Sequence, residues 1–478
     1  MDSLPMSFTS NAPPGPWKLP LLGNIHQLAF HLPHCRLADL AKTYGPIMSV
    51  QLGEVPAVVI SSVEAAKEVL KTQEKNFVER PSVLAAEIVL YNRGDMVFSP
   101  YGEYSKQMKK ICTMELLNTK RVQSFKAIRE EEVSDLVKFL YSEAGSPVDL
   151  SKHLFSMTNS IVTRTSVGKK CKKQEAFLKV VDEVIEAAGG FSVSDVFPSV
   201  KFLSLINGMS SKLHRIHREA DEILEEMIQE HKANKGASSE NDVNNLLQVL
   251  LDIQERGDHQ FHFTTDNIKA IILDMFIAAS DTSSKTAEWA ISELVRNPRV
   301  MKIAQEEVRR VFAEKGNVDE SGIQDLPYLK LIMKETLRLH PPVALIPREC
   351  NHKSQIHGFD IYPKTKVMIN AWNIGRDANT WADPERFYPE RFAESSVDYK
   401  GQNFELIPFG AGRRMCPGIA MGIANVELPL AQLLYHFDWQ LPDGAHPESL
   451  DMSESFGAAV KRKFPLILVP TPIKMPSH

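Results

Sequence analysis

Residues 409–420 read FGAGRRMCPGIA and place one thiol, Cys416, among three glycines, two adjacent arginines and a proline. A thiolate that binds a metal needs hydrogen-bond donors and positive charge around it, and glycines let backbone N–H groups approach without a Cβ in the way. Gly412 and Gly418 flank Cys416 in that sense. If the metal sits inside a flat dianionic macrocycle, a guanidinium fork can pair with its carboxylates, and Arg414 is the best placed to do so. The following run, PGIAMGIANVELPLAQLLYHF, is apolar and helical in pattern, with Pro417 at a first-turn position and the thiol near the helix N-terminus. The competing reading is a buried structural cysteine in a glycine-rich turn, and these twelve residues alone do not separate the two.

Two further groups could do chemistry. In IKAIILDMFIAASDTSSKTAEWA, the small residues Ala278, Ala279 and Ser280 precede Asp281 and Thr282, opening space beside an acid and an alcohol inside an apolar run. Hydroxyls there can bond back to the i−4 carbonyl and bend a helix. A solvent-facing polar stripe is the competing reading. In LIMKETLRLHPPV, Glu335 and Arg338 share a helix face; exposed, such a pair is worth a few tenths of a kcal/mol, whereas an apolar setting favours a buried and mutually satisfied cluster.

These groups need elements to position them. The chain has 478 residues, ample for a large core, and is 43% hydrophobic with a formal net charge of −5, so nothing points to nucleic acid as a partner. Five cysteines, scattered and without a CxxC pair, indicate neither a disulfide framework nor a zinc cluster. Residues 1–12 hold no apolar run long enough for a signal peptide or a bilayer span and read as a truncated or engineered leader. The proline-rich PPGPWKLPLLGN at 13–24 reads as a semi-rigid spacer, and 13–478 reads as one domain.

Short apolar runs at 47–52 and 56–61 predict a hairpin around Gly53-Glu54. Three-and-four spacing predicts helices over 120–142, 149–167, 210–235, 264–296, 298–314 and 327–340, so the protein is expected to be mainly α with small β-sheets. The segment 264–296 would be about 50 Å long at ~1.5 Å per residue, enough to cross the molecule. Strands are expected near the end, over 355–368 with a break at Tyr362-Pro363 and over 464–469. Residues 375–415 show little periodicity, and so long an irregular stretch inside a compact protein is usually functional. SSEND at 238–242 reads as an exposed loop tip.

The spacing of Phe409, Gly412, Arg414, Cys416 and Gly418 resembles the F-x-x-G-x-R-x-C-x-G signature of the cytochrome P450 family. Glu335 and Arg338 resemble its E-x-x-R, and Pro389-Glu390-Arg391-Phe392 its P-E-R-F; a second copy at 384 fits the spacing less well. Ala278-Ala279-Ser280-Asp281-Thr282-Ser283 is similar to the family's A/G-G-x-D/E-T-T/S helix motif. The resemblance implies that Cys416 is the axial thiolate of haem b iron, that Arg414, Arg348 and Lys109 hold propionates, and that Arg391 joins Glu335 and Arg338 in a structural cluster. It also implies proton delivery by Asp281 and Thr282. It departs at Ala279, where the family has glycine, and in PYGEYSKQMKKICTMELL, where the plant family's tryptophan is Ser105 and its two arginines are Lys106 and Lys109. Lysine neutralises a propionate as a point charge without the fork.

The lead-in, PFGAGRRMCPG and SESFGAAVKRK together resemble plant microsomal members of the family. That implies a monomeric monooxygenase on the cytosolic face of the endoplasmic reticulum membrane, an anchor ahead of the lead-in, and electrons from an NADPH-dependent reductase. The substrate would be a small hydrophobic specialised metabolite, a terpenoid ahead of an alkaloid or phenolic. Val97, Phe98, Ile277, Ala278, Ala279, Val343, Leu345 and Phe456 are expected around it, with Asp274 as a polar anchor. Rival readings are a haem-thiolate enzyme that rearranges or dehydrates a preformed peroxide, and a non-catalytic haem-binding protein.

Overall fold

The computed structural model describes residues 11–168, 174–187, 192–200, 208–233, 245–257 and 262–473. Cys171, the 238–242 tip and most of the leader lie outside these residues. The hairpin forms as β1 (Ile47–Leu52) and β2 (Val55–Ile60), in register from Ile47 opposite Ile60 to Leu52 opposite Val55. The proline-rich lead-in does not stand off as a spacer. Ser49 of β1 donates its N–H to the Pro14 carbonyl (2.7 Å) and its hydroxyl to that of Pro13 (2.9 Å), while the Asn24 amide reaches the Trp17 carbonyl (2.9 Å).

Helices then take over: α1 (Glu103–Ile111), α2 (Leu150–Val167), α3 (Met209–Ala233), α4 (Thr265–Arg296) and α5 (Pro327–Leu339). The segment expected as one helix over 120–142 is two, Thr119–Ser124 and Lys126–Ser142, because Phe125 leaves the helical region between them. The Thr264 hydroxyl and the Asn267 amide cap α4 reciprocally, and Asn297 followed by Pro298 ends it. Between those ends α4 runs through the core. Its first half packs in the cluster that holds Phe177, Phe276 and Ile271, and its second half in the one that holds Leu294, Leu433 and Met333.

Two further strands complete a four-stranded sheet. Here β3 (Leu345–Glu349) and β4 (Lys366–Asn370) pair antiparallel, and β4 runs parallel to β2. The alternation over 355–368 is therefore three pieces, since Ser354–Ile356 pairs back on Phe359–Ile361 through His357 and Gly358, both at positive φ. Residues 375–415 stay largely irregular, and α6 (Ile419–His436) follows. Pro417 does not open that helix: Gly418 is its N-cap and Pro417 precedes the cap.

Candidate functional site

The irregular segment is held from α5. Glu335 is fully buried, and its two oxygens accept the Arg338 guanidinium at 2.7 and 2.8 Å, Arg391 Nε at 3.0 Å and the Tyr388 backbone N–H at 2.7 Å. The arginines spend their remaining donors on carbonyls that have no secondary-structure partner. Arg338 reaches Pro384 (2.7 Å) and Gly375, and Arg391 reaches Ala382 (2.6 Å) and Asp383 (3.2 Å). Backbone that forms neither helix nor sheet is thereby satisfied. Arg386, in the other P-E-R-F copy, contributes only its carbonyl; its guanidinium stands over the Tyr388 ring.

That brace delivers the cysteine loop to the centre of the molecule. Gly412 sits at a φ of 71°, and a Cβ there would collide with the Leu70 carbonyl and the Glu74 carboxylate. Its glycine is thus required by a crossing segment and not by the thiol. The Gly418 N–H approaches Cys416 Sγ at 3.4 Å, and the Cys416 N–H bonds to the Phe409 carbonyl at 3.0 Å. Cys416 is surrounded by protein, yet its side chain is open to a cavity of about 710 Å³. Burial pushes its thiol up, and the Gly418 N–H with the charges of Lys109 and Arg80 acts in the opposite direction.

Three guanidinium groups converge on the same cavity. Arg348 projects from β3, where the two-residue period puts it on the side of Ile346, and both line the cavity. Arg414 donates to the carbonyls of Val78 (3.1 Å) and Ser99 (2.7 Å). Arg80, which the sequence reading missed, donates to the Pro347 carbonyl (2.7 Å) and keeps a buried Nε–H with no partner. Burial, then the neighbouring Arg414 charge, pulls Arg80 down to about 10; burial followed by Arg80 and Arg414 pulls Arg348 well below its ordinary value. Three like charges held out of water call for an anion among them. A dianionic macrocycle ligated by Cys416 supplies it, so these residues fit haem. Lys109 lines the cavity too, and its ammonium donates to the carbonyls of Met415 (3.1 Å) and Arg413, so it also clips the cysteine loop. Ser105 closes back on Gly102, its hydroxyl donating to the carbonyl and accepting from the N–H.

Opposite the thiol, α4 presents Met275, Ala278, Ala279, Thr282, Ser283 and Thr286 to the cavity. Ala278 is solvent-accessible in mid-helix because it borders this void. The Thr282 hydroxyl donates to the Ala278 carbonyl at 2.6 Å. Asp281 lies on the adjacent face, outside the lining, among Lys285, Lys461, Asp182 and Glu288, with its carboxyl pushed up by burial. Thr282 and Asp281 therefore flank the helix and do not both look into the cavity.

The expected substrate residues divide. Val97, Ala278, Ala279 and Val343 line the cavity, joined by Met96, Leu337 and Ile346. Phe98, Ile277 and Leu345 do not: Phe98 and Ile277 pack into the α4 core, and Leu345 falls on the far side of β3. Phe456 stacks on the His34 ring, 5.7 Å between centroids. Asp274 is buried and accepts the Met96 N–H at 2.7 Å, so it anchors backbone and not a ligand.

The architecture defines a mainly helical protein built to hold an anionic metal macrocycle through one cysteine beneath a long helix. The family model described as Cytochrome P450 matches residues 13–467, and the chain belongs to that family. It is 59% identical to Cytochrome P450 726A27 of Euphorbia lathyris, over 97% of this chain and 93% of that one. It is 52% identical to the premnaspirodiene oxygenase of Hyoscyamus muticus (98% and 94%) and 49% identical to the melianol synthase of Azadirachta indica (96% and 92%). A zebra fish cytochrome P450 solved with abiraterone superposes with a TM-score of 0.78 at 23% identity, over 92% of this chain and 99% of that one, and so shares the fold. The chain is accordingly a cytochrome P450 monooxygenase with a haem cofactor. Among the described residues no helix is long and apolar enough to cross a membrane.

Proposed function

We propose that this monooxygenase oxidises, most simply by hydroxylation, a small hydrophobic plant terpenoid, with electrons drawn from NADPH through a reductase at the endoplasmic reticulum membrane. The observation that carries the reading is the pairing of an inward-facing thiol with an apolar wall across one cavity: Cys416 on one side, and Met96, Val97, Val343 and Ile346 with the small α4 residues on the other. A pocket of this size and lining suits an apolar molecule fixed by shape, with few polar groups to orient a phenolic or a charged alkaloid. The names of relatives that act on premnaspirodiene or make melianol support the substrate class.

Haem bound through Cys416 supplies the activation of dioxygen and the transfer of one oxygen atom to substrate. The chain's residues do the rest. Arg80, Arg348 and Arg414 neutralise and orient the carboxylates of the macrocycle, and the 335–338–391 cluster keeps the cysteine loop in place. The Thr282 hydroxyl stands where a proton is needed inside the cavity. Asp281, one residue before it, lies on the adjacent face with its carboxyl pushed up by burial, and would resupply that proton. That arrangement favours dioxygen chemistry over rearrangement of a peroxide, which needs no proton supplied.

Two experiments test the reading. The reduced protein with carbon monoxide is expected to show the thiolate-type Soret shift, and Cys416→Ser to lose it; persistence in the variant would remove Cys416 as ligand. Turnover of a terpenoid panel is expected only with NADPH, reductase and dioxygen together, and product formed without dioxygen would overturn the monooxygenase reading.

A further inference from the structure

The wall of the cavity nearest α1 is a stretch of chain with no regular structure, residues 94–101, and side chains hold six of its backbone groups, five of them from outside the stretch. Tyr104 donates to the Gly94 carbonyl, Asp274 accepts the Met96 N–H (2.7 Å) and Asp95 accepts the Phe98 N–H (2.7 Å). Arg93 donates to the Phe98 carbonyl (2.9 Å), Arg414 to that of Ser99 (2.7 Å), and Glu79 accepts the Tyr101 N–H (2.9 Å). The loop is entered through Tyr91, Asn92 and Arg93, three consecutive non-glycine residues at positive φ. Such a turn is disfavoured at each residue and persists only when its surroundings fix it. Tyr91 is tied to Asp221 of α3 (2.8 Å), and Arg93 also reaches the Arg80 carbonyl (3.0 Å).

Only one of those ties comes from the helix that forms the opposite wall. We infer that Asp274 is a specificity-determining positioning residue: by gripping the Met96 N–H from α4 it sets how far Met96 and Val97 stand from Ala278 and Ala279, and it does so as one half of a buried carboxyl pair with Asp95. The inference rests on the cavity being the substrate pocket.

The pair is electrostatically unusual. Both carboxyls are buried, and one Asp95 oxygen has no hydrogen-bond partner. Burial pushes Asp95 up to about 6, while burial and then the Asp95 charge push Asp274 well above the ordinary carboxylate range. Arg93, Arg80 and Arg414 face Asp95 as positive groups, Tyr104 lies near both acids, and Cys112 lies near Asp274. Two adjacent buried acids resist ionising together, and Asp95, pushed up to about 6, loses its charge as pH falls through that range. A neutral carboxyl is a weaker acceptor than a carboxylate. The grip on the 96–98 backbone therefore loosens as pH falls through that range.

Two iron-binding probes separate the wall from the iron: imidazole, too small to touch residues 96–97, and 1-dodecylimidazole, whose chain must lie against them. Both are titrated optically into the haem-loaded protein, and the ratio of the two dissociation constants removes the titration the rings share. Asp274→Ala is expected to weaken 1-dodecylimidazole roughly tenfold and imidazole by less than about twofold. In the parent protein the preference for the long-chain probe is expected to fall as pH drops through about 6. In the near-isosteric Asp95→Asn, Asp274→Asn double variant it should be flat with pH, and that variant decides the matter if Asp274→Ala does not fold. Equal weakening of both probes by Asp274→Ala, no weakening, or an unchanged pH step in the double variant would each overturn the inference. A parent protein that binds imidazole but shows no preference for the long chain would instead overturn the pocket assignment beneath it.

Discussion

Replacing Glu335 by glutamine leaves shape nearly intact and removes one charge. Of the four hydrogen bonds Glu335 accepts, three end on Oε1 and one, from Arg338 Nε, on Oε2. An amide that keeps its oxygen toward Tyr388 and Arg391 must place NH2 against the Arg338 donor. One charge-assisted bond becomes a donor facing a donor, and two buried guanidinium groups lose their counter-charge. Breaking a buried pair by removing one partner costs about 3–5 kcal/mol. Set against a total stability of about 5–15 kcal/mol, a loss near 4 shifts the folded-to-unfolded ratio close to a thousandfold. The strain falls first on residues 375–391, whose carbonyls Arg338 and Arg391 hold, and through them on the cysteine loop. Urea unfolding of Glu335→Gln, followed by Soret absorbance and by far-ultraviolet circular dichroism, is expected to show the Soret band lost at lower urea than the helical signal. Arg386→Ala, which removes only an exposed guanidinium over the Tyr388 ring, should stay within about 0.5 kcal/mol of the parent. A Glu335→Gln protein within about 1 kcal/mol of the parent, with coincident transitions, would refute the account of the brace.

Other outcomes follow from the same geometry. Arg80→Leu removes one of three buried guanidinium groups on the cavity wall and should speed haem transfer to apomyoglobin roughly tenfold; an unchanged rate would take Arg80 out of the proposed cradle. Thr282→Val keeps the side-chain volume and deletes the hydroxyl next to the Ala278 carbonyl, so peroxide released per NADPH consumed should rise while binding of 1-dodecylimidazole stays unchanged. Asp281→Asn should slow turnover without altering that binding, since its carboxyl lies outside the cavity lining. Asp95 has its folded-state value raised by burial, so the folded protein binds more protons than the unfolded one between about pH 4 and 6. Its contribution to stability is therefore lost as pH rises through that window, and Asp95→Asn is expected to flatten that part of the curve of melting temperature against pH.

What the sequence makes legible is what local spacing controls. Glu335 and Arg338 are one helical turn apart, Cys416 and Arg414 share a ten-residue signature, and the caps and three-four periodicity of α4 locate it to within a residue. The lining of the cavity depends instead on the rotational phase of that helix. Met275, Ala278, Ala279, Thr282 and Thr286 share a face, while Asp274, Ile277 and Asp281 fall on the next one, and no feature of their own residue types says which face meets the void. Leu345 and Arg348 raise the same question in a strand, where a shift of one position exchanges cavity for core. Arg80 carries no local signal. It matters because residues near 348 and 414 arrive beside it, and its unpartnered Nε–H becomes visible only in three dimensions. Phe456 is an apolar residue in a suggestive place that spends its ring on a buried histidine.

The contacts that complete the cofactor cradle join the two ends of the chain. Arg414 bonds to residues 336 and 315 positions earlier, and Lys109 to one 306 positions later. During synthesis, Val78, Ser99 and Lys109 must wait for about three hundred further residues before they acquire these partners. Closure over such separations carries a high entropic cost and comes late in folding. The nascent chain therefore passes through a long interval in which the helices can form while the apolar cavity has neither floor nor lid. A supply of haem at the moment of chain release, and chaperones that shield that interior until then, set how much of this protein a cell recovers in working form.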